Sequence, residues 1–291
     1  MPEGDAVWRT ARHLHVGLSG RTLVRTDFRV PAIATADLSG GTVVETVSRG
    51  KHLLTRIDAR PIGGEQWTMH THLKMEGSWR VYDRGQRWTK AGHLARVVID
   101  TGNKVGVGFQ LGIVELVLRE HEDQVVGHLG PDLLGPDWDE HEAVRRLTAD
   151  ARPPGGALLD QRNLAGVGID VATTRTIGEA LLDQRCLAGI GTIYRSETLF
   201  LTGVSPFLQV SAVPVPKVVN LARRLMLANR DHPQITTTGV ARRGEQLWVY
   251  GREGQPCRRC GTTIQRTMQG PPPYDRVTYW CKSCQPARAG S

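Results

Sequence analysis

The chain has 291 residues, 40% of them hydrophobic, with a net charge of +8 and a pI near 9.6. That length allows one large domain or two to three smaller ones, and the basic balance points to a polyanionic partner, nucleic acid ahead of an anionic membrane surface. No apolar run reaches the roughly 18 residues of a membrane-spanning helix, and no charged region followed by an apolar run marks a signal peptide, so a cytoplasmic protein is expected.

After MPEG, the run DAVWRTARHLHVGL places Val7, Ala11, Leu14 and Leu18 at helical spacing, with Asp5 as N-cap. From there to about residue 118 the pattern is β. RTLVRTDFRV, GTVVETVSRGKHLLTRID, GSWRVYD, HLARVVID and KVGVGFQLGIVELVL are short, β-branched and punctuated by Gly, Asp and Asn. Five or more such strands predict a sandwich or barrel. Beyond HLGPDLLGPD, helical periodicity takes over in DEHEAVRRLTA, GEALLDQRCLAG, TIYRSETLFLTG and PKVVNLARRLMLANR. From Gly251 the chain turns polar and rich in Gly, Pro and Cys. The expected class is therefore α+β multidomain: a β domain with a leading helix over 1–120, a helical domain over 121–249 and a small metal module over 250–291.

RPPGGALLDQRNLAGVG (152–168) nearly duplicates RTIGEALLDQRCLAGIG (175–191). Two copies are too few for a solenoid. The second continues into TIYRSETLF, which can carry a helix. The first continues into IDVATTRT, which is β-branched and polar, so the second copy is expected to be the working one.

Four of the five cysteines lie in C257-R-R-C260 and C281-K-S-C284, separated by twenty residues. Two such knuckles fit a four-thiolate structural zinc site, with redox pairs or chance clustering as the alternatives. The segment from 254 carries Arg258, Arg259, Arg266, Arg276, Lys282 and Arg288 against Asp275 alone, which suits phosphate contacts. PPPYDRVTYW reads as a hairpin with Arg276 near its turn, either a phosphate contact or a solvated arginine.

Pro2 follows the initiator Met, whose removal would expose a secondary amine. An α-amino group titrates near 8 against about 10.4 for lysine, so roughly a tenth of it is a free nucleophile at pH 7. Such an amine forms an iminium without a cofactor, and Glu3 beside it can serve as general acid or base. Many chains begin Met-Pro without such a role. Six of the 37 basic residues are lysine. Lys51, in SRGKHLL, sits where a Gly-marked turn enters a strand, as an acid or phosphate contact or as an ordinary edge charge.

Taken together, MPEG, RGKHLL, HLKMEGSWRV, LGPDLL, LLDQRCLAGIGTIYRSETLF, YGREGQPCRRCG and RVTYWCKSCQ resemble, nearly end to end, the formamidopyrimidine-DNA glycosylase and endonuclease VIII family of DNA repair enzymes. YGREGQPC, YWC and SWRV look more like the endonuclease VIII branch, in its actinobacterial form. The resemblance implies an N-terminal β-sandwich, a helix–two-turns–helix domain and a zinc finger. It implies a flipped-out nucleotide, attack by the Pro2 amine on the sugar carbon, proton donation by Glu3, and β,δ-elimination. By the family pattern Lys51 and Arg276 are the other catalytic positions and phosphate contacts. His72 and Lys74 would touch the DNA backbone. Met75 would be an apolar wedge in the hole left by the base, or else a core residue on a strand. The implied partner is damaged double-stranded DNA, with single-stranded or bubble DNA also open, bound by a monomer. Zinc is the one cofactor implied.

The chain also departs from the pattern. Ala6 stands where many members carry Glu, leaving Asp5 as the nearby carboxylate. Thr192 follows GIG in place of Asn, with one donor instead of two, which implies DNA clamping weaker by about 1 kcal/mol. The Arg and Phe of the 8-oxoguanine branch are not visible in VGFQLGIVEL, which favours oxidised pyrimidines. A catalytically impaired DNA-binding protein on the same scaffold is the first alternative, and a zinc-dependent DNA-binding regulator unrelated to repair the second.

Overall fold

The apolar stripe from Val7 to Leu18 forms, in a computed structural model of the chain, one buried face of helix α1 (Gly4–Leu18). The structure describes residues 2–149 and 175–287, so the first copy of the duplication, 152–168, lies outside the described residues. The N-cap position of α1 falls on Glu3, which makes no side-chain capping bond, and not on Asp5 as expected. Asp5 occupies the first turn instead, where the positive end of the helix dipole favours a carboxylate.

The chain divides into two compact units, Met1–Leu129 and Gly130–Ser291. In the first, eight strands follow α1: β1 (Arg25–Phe28), β2 (Thr42–Arg49), β3 (His52–Asp58), β4 (Gln66–His72), β5 (Ser78–Asp83), β6 (Ala95–Asp100), β7 (Lys104–Phe109) and β8 (Ile113–Leu118). They pair antiparallel in two four-stranded sheets, ordered β2–β3–β4–β8 and β1–β6–β7–β5. The two-residue period of each strand decides which side chains enter the core. Leu53 and Ile57 of β3 and Met69 of β4 join Trp79, Val97 and Ile99 of the other sheet and the α1 stripe in one apolar cluster.

The opposite face of the first sheet is polar. Register aligns His52 with His72, Leu54 with His70, and His70 with Glu115. Arg56 donates to Glu122 at 3.1 and 2.7 Å, and the Thr68 hydroxyl donates to the same carboxylate at 2.7 Å. These bonds tie the segment entering α2 (Asp123–Val126) to that face.

The second unit packs α3 (Glu140–Ala149), α4 (Ile177–Ala180), α5 (Thr192–Thr202) and α6 (Val215–Asn229), followed by the hairpin β9 (Gln265–Gln269) and β10 (Arg276–Trp280). The helix expected over 178–189 is a single turn. Thr176 and Glu179 form a capping box that starts α4. After it, Asp183 accepts from the Arg185 N–H, and Gln184 bridges the Gly189 N–H and the Ile190 carbonyl. These side chains take backbone groups that a continuing helix would pair internally. Leu181, Leu187 and Ile190 are buried all the same, which is why their spacing imitates a helix.

Candidate functional site

In the first unit the N-terminal candidates lead directly into α1. Pro2 is half-buried and Glu3 is 3% exposed. Asp5 is fully buried; one carboxylate oxygen meets Arg9 at 3.2 Å and the other has no hydrogen-bond partner among the described residues.

Lys51 occupies the second position of the two-residue turn between β2 and β3, where Arg49 pairs with His52. Gly50 precedes it with φ +58°, a conformation that favours glycine at the first position of a tight hairpin turn. Lys51 is only 6% exposed, so the solvated edge charge is not what the fold makes of it. Its ammonium is one of the charges that lower the pKa of His72.

His72 ends β4 and is buried, where the sequence suggested a loop residue touching DNA directly. Its Nδ1 accepts the Lys74 N–H at 2.9 Å. Burial first, then Lys74, His70 and Lys51, push its pKa down to about 4. Lys74 is exposed, with φ +51° in the loop after β4. Met75, next in that loop, is 69% exposed and therefore is not a core residue.

Two functional-looking residues escaped the sequence reading. His70 stacks against His52 with ring centroids 5.0 Å apart, and their ring nitrogens approach to 2.8 Å. Burial first, then His70, His72, His128 and Lys74, lower the His52 pKa to about 3. The one available signal was the alternation His70, His72 in β4, which puts both on one face.

In the second unit the four cysteine sulfurs lie within 4.8 Å of one another. Cys257 and Cys284 are 3.9 Å apart, Cys260 and Cys281 3.5 Å. Tetrahedral zinc–thiolate bonds of about 2.3 Å require sulfur separations of about 3.8 Å, so the donor set fits a metal ion of that kind. Burial and the neighbouring sulfurs raise the Cys284 thiol, while bonds to Thr262 hold Cys260 down to about 6.

Arg276 opens β10 opposite Gln269 and is exposed. Its guanidinium donates to the carbonyls of Asp275 at 2.7 Å and Pro273 at 3.4 Å. Gln269 fixes this register: it is buried, donates to the Pro206 carbonyl at 2.8 Å and the Thr176 hydroxyl at 2.9 Å, and accepts from Thr278 at 3.0 Å. Gly178 makes room for it, because a Cβ there would stand 2.4 Å from the Gln269 amide oxygen.

Two exposed cations of the module also brace the fold. Arg258 donates to the Leu247 and Gly244 carbonyls, and the Arg259 guanidinium lies 4.4 Å from the Phe200 ring centroid. Glu197 of α5, fully buried, accepts the N–H groups of Trp248, Val249 and Tyr250 at 2.8 to 2.9 Å, anchoring the approach to the cysteine module. Thr192 opens α5 without a side-chain cap, its hydroxyl 3.5 Å from that of Tyr250.

Comparison with known proteins accounts for nearly the whole chain. A family model described as the formamidopyrimidine-DNA glycosylase N-terminal domain matches residues 1–110. A probable endonuclease 8 2 of Streptomyces coelicolor is 47% identical over 98% of this chain and 94% of its own length. The DNA-(apurinic or apyrimidinic site) lyase Nei2 of Mycolicibacterium smegmatis is 44% identical over 99% of this chain and all of its own. Among solved structures, a Lactococcus lactis Fpg crystallised with DNA containing an abasic site shares the fold, with TM-score 0.73 and 20% identity over 97% of this chain and 99% of that one.

Proposed function

The chain belongs to the formamidopyrimidine-DNA glycosylase and endonuclease VIII family, and we propose on that premise that it is a bifunctional DNA glycosylase and abasic-site lyase of base excision repair. The observation that carries the reading is the 47% identity to an endonuclease 8 over 98% of the chain. The motif residues suit the chemistry. Once Met1 is removed, the Pro2 amine attacks the sugar carbon and the base departs with the electrons of the glycosidic bond. Glu3, whose burial shields it from bulk water, supplies or accepts the proton. Lys51 and Arg276 take part in catalysis and contact the flanking phosphates. Asp5, with one oxygen lacking a partner among the described residues, is the carboxylate available where Ala6 replaces the family's Glu.

The substrate is damaged duplex DNA, with oxidised pyrimidines favoured. Phe109 and Ile113 flank a turn of only three residues, Gln110 to Gly112, which supplies no Arg and Phe pair of the 8-oxoguanine branch's kind. Lys74 contacts the DNA backbone, exposed Met75 is the wedge and Thr192 a phosphate donor, each within reach of solvent. His72 donates to the backbone from a buried position. The four cysteines hold a structural zinc, which stabilises a segment with few apolar residues of its own. The protein acts as a monomer in the bacterial cytoplasm, with the three-part organisation of a β-domain, a helix–two-turns–helix domain and a zinc finger.

Borohydride trapping tests this directly. The Met-processed protein is expected to become covalently attached to an abasic or 5-hydroxyuracil duplex, and Pro2→Ala is expected to abolish the adduct. Duplex binding with no adduct from the unmodified chain would leave only a binding protein.

A further inference from the structure

The sheet face that carries His72 also carries two histidines that no step above uses. His70 sits across from Glu115 on β8, and His52 across from His72. Their rings are joined end to end: His70 Nδ1 lies 3.1 Å from Glu115 Oε2, and His70 Nε2 lies 2.8 Å from His52 Nδ1. Valence orders the protons along this chain. An ionised carboxylate only accepts, so His70 Nδ1–H donates to Glu115. The neutral His70 ring then has its lone pair on Nε2, which receives the proton of His52 Nδ1. His52 is left with a lone pair on Nε2.

The groups facing this chain are nearly all cationic or able to become so. They are His72 and His70 on β4, Lys74 in the loop after it, Lys51 in the preceding turn, and His128, whose ring is 6.2 Å from His52. Among the described residues, Glu115 is the one carboxylate hydrogen-bonded to these rings. Another proton on any of these imidazoles would add repulsion in a buried place, so neutral rings are the low-energy state. His52 stands edge-on to His72, with centroids 5.0 Å apart and an interplanar angle of 86°. The Nδ1 of His72 already accepts the Lys74 N–H, so the proton of the neutral ring lies on Nε2.

We propose that Glu115, His70 and His52 are positioning residues for His72: their hydrogen-bonded chain locks the His52 ring in one tautomer, and that ring, edge-on to His72, fixes the orientation of an imidazole that the Lys74 N–H keeps as a neutral Nε2–H donor beside Lys51. A fixed neutral donor suits a phosphate oxygen next to a lysine that must be free to handle protons. The inference deepens the reading of the protein as a DNA-cleaving enzyme and rests on it for the ligand. The tautomers themselves do not depend on it.

Long-range nitrogen–proton correlation spectra of the full-length, metal-loaded protein read each tautomer directly. Between about pH 8 and about pH 6, His72 is expected to carry its proton on Nε2 and His52 on Nδ1. In His70→Leu, and in Glu115→Ala, which removes a half-exposed side chain and spares the core, His52 is expected to become a tautomer mixture. The His72 titration should then move up in His70→Leu, which removes one of the groups that hold it down, and should not rise in Glu115→Ala. Kd for a duplex containing a tetrahydrofuran abasic analogue should rise about 3- to 10-fold, the worth of one hydrogen bond, with the loss in Kd and KM rather than in kcat. A His72 proton on Nδ1 in the unmodified chain overturns the proposal. So does weakened DNA binding in the variants with His72 signals and titration unmoved, because that is mere structural damage. If the unmodified protein bound no damaged duplex at all, the functional reading would fall while the spectra still decided the relay.

Discussion

The proposed function gives Lys51 and Arg276 the same task, yet the fold treats them in opposite ways. Lys51 is 6% exposed, in a two-residue turn gripped by the β2–β3 ladder. Arg276 is exposed at the head of a hairpin that runs into the cysteine cluster, with Gln269 holding its register. The difference follows the chemistry of the two cations. A lysine useful for proton transfer gains from shelter, because its pKa responds to burial and neighbours. An arginine stays protonated anywhere and needs only to be aimed. One position is secured by main-chain hydrogen bonds. The other depends on side chains and runs into four cysteines whose spacing fits a metal ion.

Removing the metal should expose that dependence most strongly. Cys284→Ser, or stripping with a chelator, is expected to abolish DNA cleavage and to speed amide exchange across β9 and β10. Exchange in β3 and β4, whose ladder owes nothing to the cysteines, should stay as it was. Accelerated exchange in β3 and β4 would erase the distinction between the two regions.

The cations themselves sharpen it. Lys51→Gln is expected to lower the single-turnover lyase rate by about 10²- to 10⁴-fold, the usual worth of a positioned acid–base group. Arg276→Gln should chiefly weaken binding and reduce the salt slope of log Kd by about one, the signature of one lost phosphate contact. If the two variants gave the same kinetic profile, burial would not be dividing their roles. Gln269→Ala comes next in size. It leaves the buried Thr278 hydroxyl without its acceptor and takes one donor each from the Thr176 hydroxyl and the Pro206 carbonyl, so a stability loss of about 1 to 3 kcal/mol is expected from denaturant melts. Damaged-duplex affinity should fall with it, because the Arg276 register rests on that side chain.

How much of this was legible in the sequence depends on how local each signal is. The α1 stripe, the strands of the first unit other than β4 and the convergence of the four cysteines are local patterns with one period or one geometry, and they read correctly; QWTMHTH, which forms β4, was not among the expected strands. Asp5 as a cap failed because the helix begins at Gly4, two residues before the start that an Asp5 cap requires, with Glu3 at the N-cap position. GEALLDQRCLAG failed because Asp183 and Gln184 compete for backbone groups while the apolar spacing still serves burial. Residues joined across strands or between distant segments were harder to see. Nothing local to HLL or TMHTH says that His52 and His70 will share a hydrogen bond, and nothing in TIYRSETLF says that Glu197 will hold three backbone amides fifty residues away. Met75 could be weighed but not decided until the loop placed it outside the core.

The smallest expected effect is a pH slope confined to the first unit. Folding lowers the pKa of His52 from 6.5 to about 3 and that of His72 from 6.5 to about 4, with burial the first cause of both. The unfolded chain therefore takes up these protons as pH drops below about 6.5, while the folded chain resists until about pH 4 or lower. More protons bound by the unfolded state means that stability rises with pH. The histidine contribution is thus complete above about pH 6.5 and declines steadily on acidification towards pH 4. Paired carboxylates such as Asp183 and Glu122 have lowered pKa values and lose their contribution as pH falls through the ordinary carboxylate range, from the acid end of that window downward. Local opening free energies from amide exchange in β3 and β4 should therefore fall between pH 7 and about pH 5, and those of α5 should not. His52→Phe removes one of the two strongly shifted groups and should flatten the slope by about half. A slope equally steep in α5, or none in β3 and β4, would mean that the imidazoles are not held neutral by the fold, and the contrast between a proton-sensitive sheet and a hairpin that adjoins the cysteine cluster would be lost.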